Sequence, residues 1–385
     1  MKISKRANKI LPSLTRKLFN MAKDYDDVID LTLGDPDLAP PKEICDSAYE
    51  AMKDNRMHYS ANAGLSEARC AAAENIKEVW GADADPDENI IVTVGGMEAL
   101  YLCMLSVVDE GDEVIVFAPY YVNYIQMIEL CGGTPVIVNA YDAKKGLFID
   151  EEALASAISD KTAAIIVNSP NNPTGDMFCR ADLEKVAKAA KANDLLIVSD
   201  EVYRTLIYDD LPHESILNAK DAQGRTLLVD SMSKEYSMTG FRVGYAFGES
   251  ELISNMIKLQ ENVAACACVS SQYALAAAYR GKIPNGYIRT EFQKRRDFLF
   301  KELEKLEKLT PMCPKGTFYM FVNIEKTGMK SEEFAYRLLE CAHIAVVPGV
   351  AYGADYDGYI RIAFTKDVET LKEATIRLKS FLDKI

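Results

Sequence analysis

Histidine is scarce in this chain of 385 residues, and the cysteines follow no ligand pattern. The three histidines, His58, His213 and His343, are not close to one another in the sequence, which disfavours a histidine-based metal centre or a Ser-His-Asp triad. Cys266 and Cys268 are a single residue apart, not at the spacing of a zinc or redox C-x-x-C motif. The nine cysteines, scattered through apolar segments, indicate reduced thiols in a cytoplasmic protein. We therefore expect no metal site.

The sequence also lacks long apolar runs and an excess of basic charge. No run approaches the roughly 18 apolar residues that a membrane-spanning helix needs, and the first residues lack the apolar core of a secretory signal. The net charge is −14, with acidic residues spread along the chain. Because nucleic acids and anionic membranes bind concentrated basic surfaces, we expect neither as a partner. Hydrophobic residues at 49% and charged residues at 26% are typical of a soluble globular enzyme.

Short apolar runs alternate with helical patterns between about residues 89 and 233. These runs are NIIVTV, DEVIVFA, TPVIVNA, AAIIVNSP, DLLIVSDE and TLLVDSM. They are apolar throughout rather than alternating, as in strands that are buried on both faces. The pattern predicts an α/β fold with a large, doubly wound, mostly parallel sheet and helices on either side.

The pattern changes towards the C-terminus. Residues 249–281 look helical, and the run EFQKRRDFLFKELEKLEKL predicts a long amphipathic helix. GTFYMFVNI and GYIRIAFT predict strands around a helix at 331–342. This mixture predicts a smaller α+β domain, and Gly, Pro and Asn mark a boundary near Gly281–Gly286. We expect an N-terminal arm with part of the small domain at 1–36, a large domain at 37–282 and the small C-terminal domain at 283–385.

Polar residues follow several of the predicted strands. Gly95 and Gly96 precede a helix that we expect to start near Met97, an arrangement that suits an anion but also a plain tight turn. Asn172 lies in the proline-fixed loop NSPNNPTG, which could equally be a well-made turn. Asp200 ends a buried strand, where it would be a desolvated carboxylate or a helix N-cap.

Lys234 and Arg242 lie in SMSKEYSMTGFRVGY, just beyond the last strand of the series. Burial lowers the pKa of an ammonium and makes such a lysine a candidate nucleophile, although a lysine among serines is often only solvated surface. Ser231, Ser233 and the arginine fork would suit a phosphate. Because ligands bind beyond the carboxyl ends of parallel strands, these groups are expected at one sheet edge. Pyridoxal phosphate needs this set, namely a lysine, an acid for its ring nitrogen and donors for its phosphate.

Seven segments carry a family resemblance, and they span essentially the whole chain. They are LTLGDPDLAPP, HYSANAGLSEAR, VTVGGMEAL, NSPNNPTG, SDEVY, SMSKEYSMTGFRVGY and GYIRIAF. With them the sequence resembles the class I/II pyridoxal-phosphate-dependent aminotransferases of fold type I, most closely their aspartate/aromatic/alanine-type bacterial branch. The resemblance implies ping-pong transfer of the α-amino group of an L-amino acid to a 2-oxo acid, through an internal aldimine at Lys234.

The resemblance also implies roles for the other residues. Lys234 would carry the proton, Asp200 would pair with the ring nitrogen, and Tyr203 and Asn172 would bond the 3-oxygen of the ring. The further cofactor contacts it implies are Tyr121 and Val202 on the two ring faces and Gly96, Met97, Ser231, Ser233 and Arg242 around the phosphate.

Three more residues complete the implied site. Tyr59 would reach the phosphate of the neighbouring subunit, so the resemblance implies a homodimer. Arg361, in the apolar run GYIRIAF, could form a structural ion pair. The resemblance makes it the residue that binds the substrate α-carboxylate, assisted by the Gly34 amide.

Met97 departs from the pattern of the family. Relatives that use aspartate often carry a lysine there, and others a hydroxyl residue, whereas a thioether has no charge and accepts only weakly. We therefore hypothesise a neutral, aliphatic or aromatic amino donor. A basic residue elsewhere, such as Arg16, that bound a side-chain carboxylate would overturn this hypothesis.

Other functions remain as alternatives. A C–S β-lyase of the same fold would use the same lysine and arginine. A regulatory ligand-binding protein would be expected to carry a DNA-binding segment upstream, which the short N-terminal arm does not supply. A nucleotide-dependent dehydrogenase needs a G-x-G-x-x-G turn, and VTVGGMEAL does not provide it.

Overall fold

A computed structural model describes residues 1–10 and 14–385. Its strands are, in chain order, β1 Ile29–Asp30, β2 Ile90–Thr93, β3 Glu113–Ala118, β4 Thr134–Asn139, β5 Tyr141–Asp142, β6 Gly146–Leu147, β7 Thr162–Asn168, β8 Leu196–Asp200, β9 Thr226–Ser231, β10 Gly244–Phe247, β11 Thr310–Pro311, β12 Tyr319–Asn323, β13 Ile344–Ala345, β14 Val347–Pro348 and β15 Tyr359–Ala363. Its helices are α1 Lys5–Lys9, α2 Leu14–Ala22, α3 Lys42–Lys53, α4 Ser66–Trp80, α5 Gly95–Val107, α6 Asn123–Leu130, α7 Glu151–Ala157, α8 Arg180–Ala192, α9 Met232–Glu235, α10 Ser250–Val263, α11 Val269–Arg280, α12 Gly286–Leu303, α13 Ser331–Ala342 and α14 Val368–Leu382.

The large sheet has the order β2-β10-β9-β8-β7-β3-β4 among the described residues. Its strands pair in parallel from β9 to β4, whereas β10 runs antiparallel to both β2 and β9. The prediction of an α/β fold with a mostly parallel sheet is therefore confirmed. Strand β10 was missed, because VGYAFG is short and bounded by glycines and directly follows the polar stretch around Arg242.

Alternate residues of the central strands face two different cores. In β3, Val114 and Val116 pack with α5 and α6 on one face, whereas Ile115 and Phe117 pack with α8 on the other. Such strands are apolar throughout because neither face meets water. Strand β4 departs from the prediction of burial on both faces, since it lies at the edge of the sheet and Ile137 is 45% exposed.

A smaller antiparallel sheet has the order β11-β12-β15-β14 and packs against α12, α13 and α14. The N-terminal segment joins this part of the molecule, because β1 pairs in parallel with β13 and Leu18 of α2 is buried in the same core. In the small sheet, β15 brings Arg361 opposite Phe321 of β12. Arg361 is therefore held by an inner strand of the small sheet, which is paired on both sides.

Three predicted helix limits need correction. The helical segment predicted at 249–281 is interrupted between α10 and α11, where Ala265 has a left-handed φ of 61°. The amphipathic helix α12 ends at Leu303, and the helix that was expected to start near Met97 starts at Gly95. Within the described ranges, no helix is both long and apolar enough to span a membrane.

Candidate active site

A cavity of about 460 Å³ lies where β7, β8 and β9 end. It is lined by all but one of the residues to which the family resemblance assigns a role: Gly34, Gly96, Met97, Tyr121, Asn172, Asp200, Val202, Tyr203, Ser231, Ser233, Lys234, Arg242 and Arg361. The exception is Tyr59, which is 88% exposed on the surface of the chain. The large sheet contributes one wall and Arg361 of the small sheet contributes another.

Lys234 lies in the single-turn helix α9, directly after β9. The Ser231 hydroxyl accepts the backbone N–H of Ser233 and fixes the start of this turn. The Lys234 Nζ donates to the carbonyl of Gly34 at 2.7 Å. Burial lowers the pKa of Lys234 to about 8, helped by the positive charges of Arg242 and Arg361 and opposed by Asp35. A neutral amine, the form that acts as a nucleophile, is therefore accessible at mildly alkaline pH.

Asp200 ends β8 with its carboxylate in the cavity wall. The Tyr124 hydroxyl donates to its Oδ2 at 2.5 Å, and the Val202 N–H lies 3.4 Å from its Oδ1. Burial raises the pKa of Asp200 to about 6, whereas the bond from Tyr124 lowers it. The alternative of a helix N-cap is wrong, because turns rather than a helix follow β8. The carboxylate is thus a buried acceptor that lacks a cationic partner among the described residues.

Arg361 is 4% exposed, and its guanidinium bonds only neutral groups of the described residues. Its Nη1 donates to Oδ1 of Asn172 at 2.9 Å, its Nη2 donates to the carbonyl of Thr32, and it lies 4.1 Å from the ring centroid of Tyr319. Its Nε has no partner in the described part of the chain. The alternative of a structural ion pair is therefore wrong. A buried guanidinium that meets no carboxylate of the protein favours binding of a carboxylate ligand.

The start of α5 lies against Arg242. Gly95 has a left-handed φ of 73°, and a Cβ there would approach Nη2 of Arg242 to 2.7 Å. Any other residue at position 95 would be strained by this positive φ and would displace the guanidinium from the start of α5. Arg242 donates its Nη1 to the carbonyl of Thr239 at 2.9 Å, and Ser231 donates to Oγ of Ser233 at 2.9 Å. Together these donors can hold an anion at a helix N-terminus.

A second polar contact joins Tyr121, Asn123 and Met97 on the wall formed by α5 and α6. The Asn123 Nδ2 donates to the Tyr121 hydroxyl at 3.0 Å, and this hydroxyl lies 3.5 Å from Sδ of Met97. On the opposite side, the hydroxyls of Tyr203 and Tyr319 are 3.3 Å apart. Arg16 lines the mouth of the cavity with an exposed side chain.

Sequence reasoning missed Tyr124, Asn123 and Tyr319. The only signal for the first two was the polar and aromatic run PYYVNY, in which Tyr121 and Tyr124 have the i,i+3 spacing of a helix face. Tyr319 was part of a predicted strand whose facing residues were not assigned. Among the described residues, no group of His, Cys, Asp and Glu side chains could hold a metal ion.

The residues that line the cavity fit pyridoxal phosphate. A lysine with a lowered pKa, a buried carboxylate that meets no cation of the described residues, and an anion-binding helix N-terminus meet in one cavity. The Nε of Arg361, which has no partner among the residues that the structure describes, offers a further donor to a carboxylate that enters beside the cofactor. Each donor or acceptor therefore matches a group that the cofactor or an amino acid carries.

Comparisons with known proteins agree with this geometry. A family model described as aminotransferase class I and II matches residues 26–378. The chain is 39% identical to an aspartate aminotransferase of Pyrococcus abyssi and 36% identical to the aromatic-amino-acid aminotransferase 2 of Thermococcus litoralis, in each case over 99% of this chain and 98% of the relative. It is also similar to the crystal structure of an aspartate aminotransferase from Thermotoga maritima, with a TM-score of 0.93, 34% identity and coverage of 99% and 100% of the two chains.

Proposed function

The chain belongs to the family of class I and II aminotransferases, and from this premise we propose which residues act and which amino acids they select. It is a pyridoxal-phosphate-dependent transaminase, and it has the fold of these enzymes. Its reaction moves the α-amino group of an L-amino acid to a 2-oxo acid. The two relatives named above are both aminotransferases, which favours transamination over the β-lyase and regulatory alternatives.

Lys234 is the residue that we assign to covalent attachment and proton transfer. The bound cofactor supplies an aldehyde carbon that bonds to an amine and a ring that accepts electrons. The support for Lys234 is its partly buried amine, whose pKa is lowered to about 8. The Gly34 carbonyl, 2.7 Å from Nζ, would hold this amine whenever it is free and keep it aimed into the cavity.

Asp200 would hold the ring nitrogen in its protonated form. Its carboxylate is already oriented by the Tyr124 hydroxyl, and a cation beside it would remove the cost of burial. Tyr203 and Asn172 would donate to the 3-oxygen of the ring. Tyr121 and Val202, which both line the cavity, would pack on the two faces of the ring.

The phosphate would bind at the N-terminus of α5. We assign to it the amides of Gly96 and Met97, the hydroxyls of Ser231 and Ser233 and the guanidinium of Arg242. The support is the close approach of Arg242 to Gly95, which places a cation beside the first N–H groups of a helix.

Arg361 would bind the α-carboxylate of the substrate, with the amide of Gly34 as a second donor. Its guanidinium is held by Asn172 and Thr32 and stacks on Tyr319, so little entropy is lost when a carboxylate arrives. Every amino acid has an α-carboxylate, so this contact does not discriminate among substrates. Selectivity for the side chain would come from the cavity wall around Met97.

The amino donor that we propose has a neutral side chain, aliphatic or aromatic. Met97 faces the cavity together with Leu100 and Val122, and these three side chains carry no charge. An exposed Arg16 at the mouth is the group that a side-chain carboxylate would have to reach instead.

A half-reaction screen tests this proposal. The holoenzyme is mixed with single amino acids, and the loss of the yellow absorption is followed as the amine form of the cofactor accumulates. Leucine, methionine and phenylalanine should react with larger kcat/KM values than aspartate. A strong preference for aspartate would refute the neutral donor without touching the role of Lys234.

We further propose a homodimer in which Tyr59 contacts the phosphate at the neighbouring active site. The support is the 88% exposure of this tyrosine on a single chain, with the apolar Met57 nearby at 41%. Sedimentation equilibrium tests the dimer. Tyr59→Phe should weaken cofactor affinity without changing the oligomeric state, and unchanged affinity would contradict the role of Tyr59.

Domain limits and location complete the proposal. We keep an N-terminal arm with part of the small domain at 1–36, the large domain at 37–282 and the small domain at 283–385, supported by the pairing of β1 with β13. Limited proteolysis near Gly281–Gly286 tests these domain limits.

A cytoplasmic location is supported by the nine free cysteines. Cell fractionation tests this location.

A further inference from the structure

A buried ion cluster lies behind the cavity, and we define it as Arg204, Asp230 and Glu235. The Nε of Arg204 lies 2.9 Å from Oδ2 of Asp230, and its Nη2 lies 2.8 Å from Oε2 of Glu235. The three side chains are 7%, 0% and 6% exposed. None of the three residues lines the cavity itself, so the cluster cannot touch a ligand there.

Each member of the buried ion cluster is the direct chain neighbour of a cavity residue. Arg204 follows Tyr203, Asp230 precedes Ser231, and Glu235 follows Lys234. The guanidinium therefore joins the turn after β8 to both ends of the segment that leads from β9 into α9. Through this one side chain, the tyrosine, the serine and the lysine of the cavity are tied together.

The two carboxylates of the cluster are also held from outside. Tyr245 donates to Oδ2 of Asp230 at 3.1 Å, and the Ser231 N–H donates to its Oδ1 at 2.8 Å. Tyr279 donates to Oε2 of Glu235 at 3.2 Å, and Asn285 donates to its Oε1 at 3.1 Å. Every carboxylate oxygen is therefore bonded, and fully bonded buried networks of this kind are rigid.

Stability alone is a poor reason for such a cluster. One guanidinium faces two buried carboxylates, and burial raises the pKa of Glu235 to about 7 although Arg204 acts against the rise. Apolar side chains of similar volume often stabilise a core as well as a buried ion cluster or better. One guanidinium bonds two carboxylates from the same segment of the chain. This arrangement suits the precise placement of the neighbouring cavity residues instead.

We propose that Arg204 is a positioning residue, which fixes Lys234 and Ser231 relative to Tyr203 by bridging Asp230 and Glu235. The inference rests on the site roles proposed above. A covalent anchor, a phosphate ligand and a ring-oxygen donor must meet one rigid cofactor at the same time. Displacing one reacting group by about 1 Å costs on the order of a hundredfold in rate.

Arg204→Lys and Arg204→Met test the bridge. Lysine keeps a positive charge beside the two carboxylates, so the variant should still fold. Its single ammonium cannot bond both carboxylates as the planar guanidinium does, so the bridge is removed. Arg296→Met is the matched control, because Arg296 is 3% exposed, bonds Asp209 at 2.7 Å and lies outside the cavity. All variants are compared as holoenzyme well below their melting temperatures.

Three readouts separate positioning from stability: the Kd for pyridoxal phosphate, the pH midpoint of the absorption band of the bound cofactor, and kcat against KM. Arg204→Lys should raise the Kd and lower kcat by about tenfold or more, move the pH midpoint and leave the KM nearly unchanged. Arg204→Met should exceed these effects, and Arg296→Met should lower only the melting temperature.

The proposal is overturned if Arg204→Lys keeps all three readouts within twofold of the unchanged enzyme, or if Arg296→Met changes them equally. If Arg204→Met does not fold, Arg204→Lys decides alone. Failure of the site roles is distinguishable, because borohydride reduction would then attach the cofactor to a residue other than Lys234 in every variant.

Discussion

The hydroxyl of Tyr124 donates to Oδ2 of Asp200 across 2.5 Å in the interior of the protein. This bond stabilises the ionised carboxylate against burial, which by itself raises the pKa of Asp200. The ring-nitrogen role proposed for Asp200 needs the ionised form. Under this proposal, Tyr124 would keep the carboxylate ionised as well as hold it in place.

Tyr124→Phe should move the acidic limb of the donor half-reaction to higher pH. The lost bond leaves a buried carboxylate oxygen without a donor and raises the pKa of Asp200. Such a loss costs roughly 1–3 kcal/mol, so kcat/KM near neutral pH should fall by at least about fivefold. Tyr356→Phe is the control, because its buried hydroxyl bonds the Ala118 carbonyl at 2.9 Å outside the cavity. An acidic limb that stays in place in Tyr124→Phe would refute this assignment.

Arg361→Leu should remove the preference of the enzyme for an amino acid over the corresponding amine that lacks the carboxylate, measured as the ratio of their kcat/KM values. Truncating one member of a buried charged pair costs about 2–5 kcal/mol, so kcat/KM for phenylalanine should fall by at least about thirtyfold, while kcat/KM for phenethylamine should change little. The ratio of the two values is the measurement. If the ratio survives the substitution, another residue binds the carboxylate.

Lys234→Met should change how the stability of the cofactor-free protein depends on pH. The folded pKa of about 8 lies below the ordinary 10.5, so between these values the unfolded state binds more protons and the contribution of Lys234 to stability rises with pH. Below pH 8 the partly buried ammonium lowers the free energy of unfolding of the unchanged protein by up to about 3 kcal/mol. The methionine variant does not carry this cost.

Urea unfolding at pH 7 and pH 10 measures this difference. The stability advantage of Lys234→Met over the unchanged chain should be largest at pH 7 and shrink at pH 10. Lys258→Met, at an exposed lysine of α10, serves as the control and should show no such trend. If the stability advantage of Lys234→Met were the same at both pH values, the amine of Lys234 would not be desolvated.

Met97→Lys should turn the selectivity towards acidic donors. The new ammonium would face the cavity, and a hydrogen bond between charged groups is worth about 1.5–3 kcal/mol, so kcat/KM for aspartate relative to phenylalanine should rise by about tenfold or more. Met97→Leu keeps the wall apolar and should leave the ratio nearly unchanged. A fall in aspartate activity on Arg16→Ala in the otherwise unchanged enzyme would instead assign the acidic side chain to Arg16.

The parts of the site that follow buried strands could be predicted from the sequence. Asp200, Asn172 and Lys234 each come at or soon after the end of an apolar run, and the topology of a parallel sheet brings such ends to one edge. The resemblance then supplied their roles and added Arg361, which lies in a strand of the other sheet.

The contacts between distant segments could not be predicted. Tyr124 and Asp200 are 76 residues apart, and the Lys234 amine meets a carbonyl 200 residues away. Such pairs depend on how helices and sheets pack, which local periodicity does not encode. Strand β10 and the break at Ala265 were missed for a related reason, because sheet pairing and a left-handed residue override the local pattern.

Trapping with borohydride tests the central claim most directly. The holoenzyme is reduced and digested, and the peptide that carries the cofactor is identified by mass spectrometry, with Lys234→Ala treated in parallel. We predict a single labelled peptide in which Lys234 bears the cofactor, and no stable label in the variant. Attachment at another lysine, or full turnover by Lys234→Ala, would contradict the account.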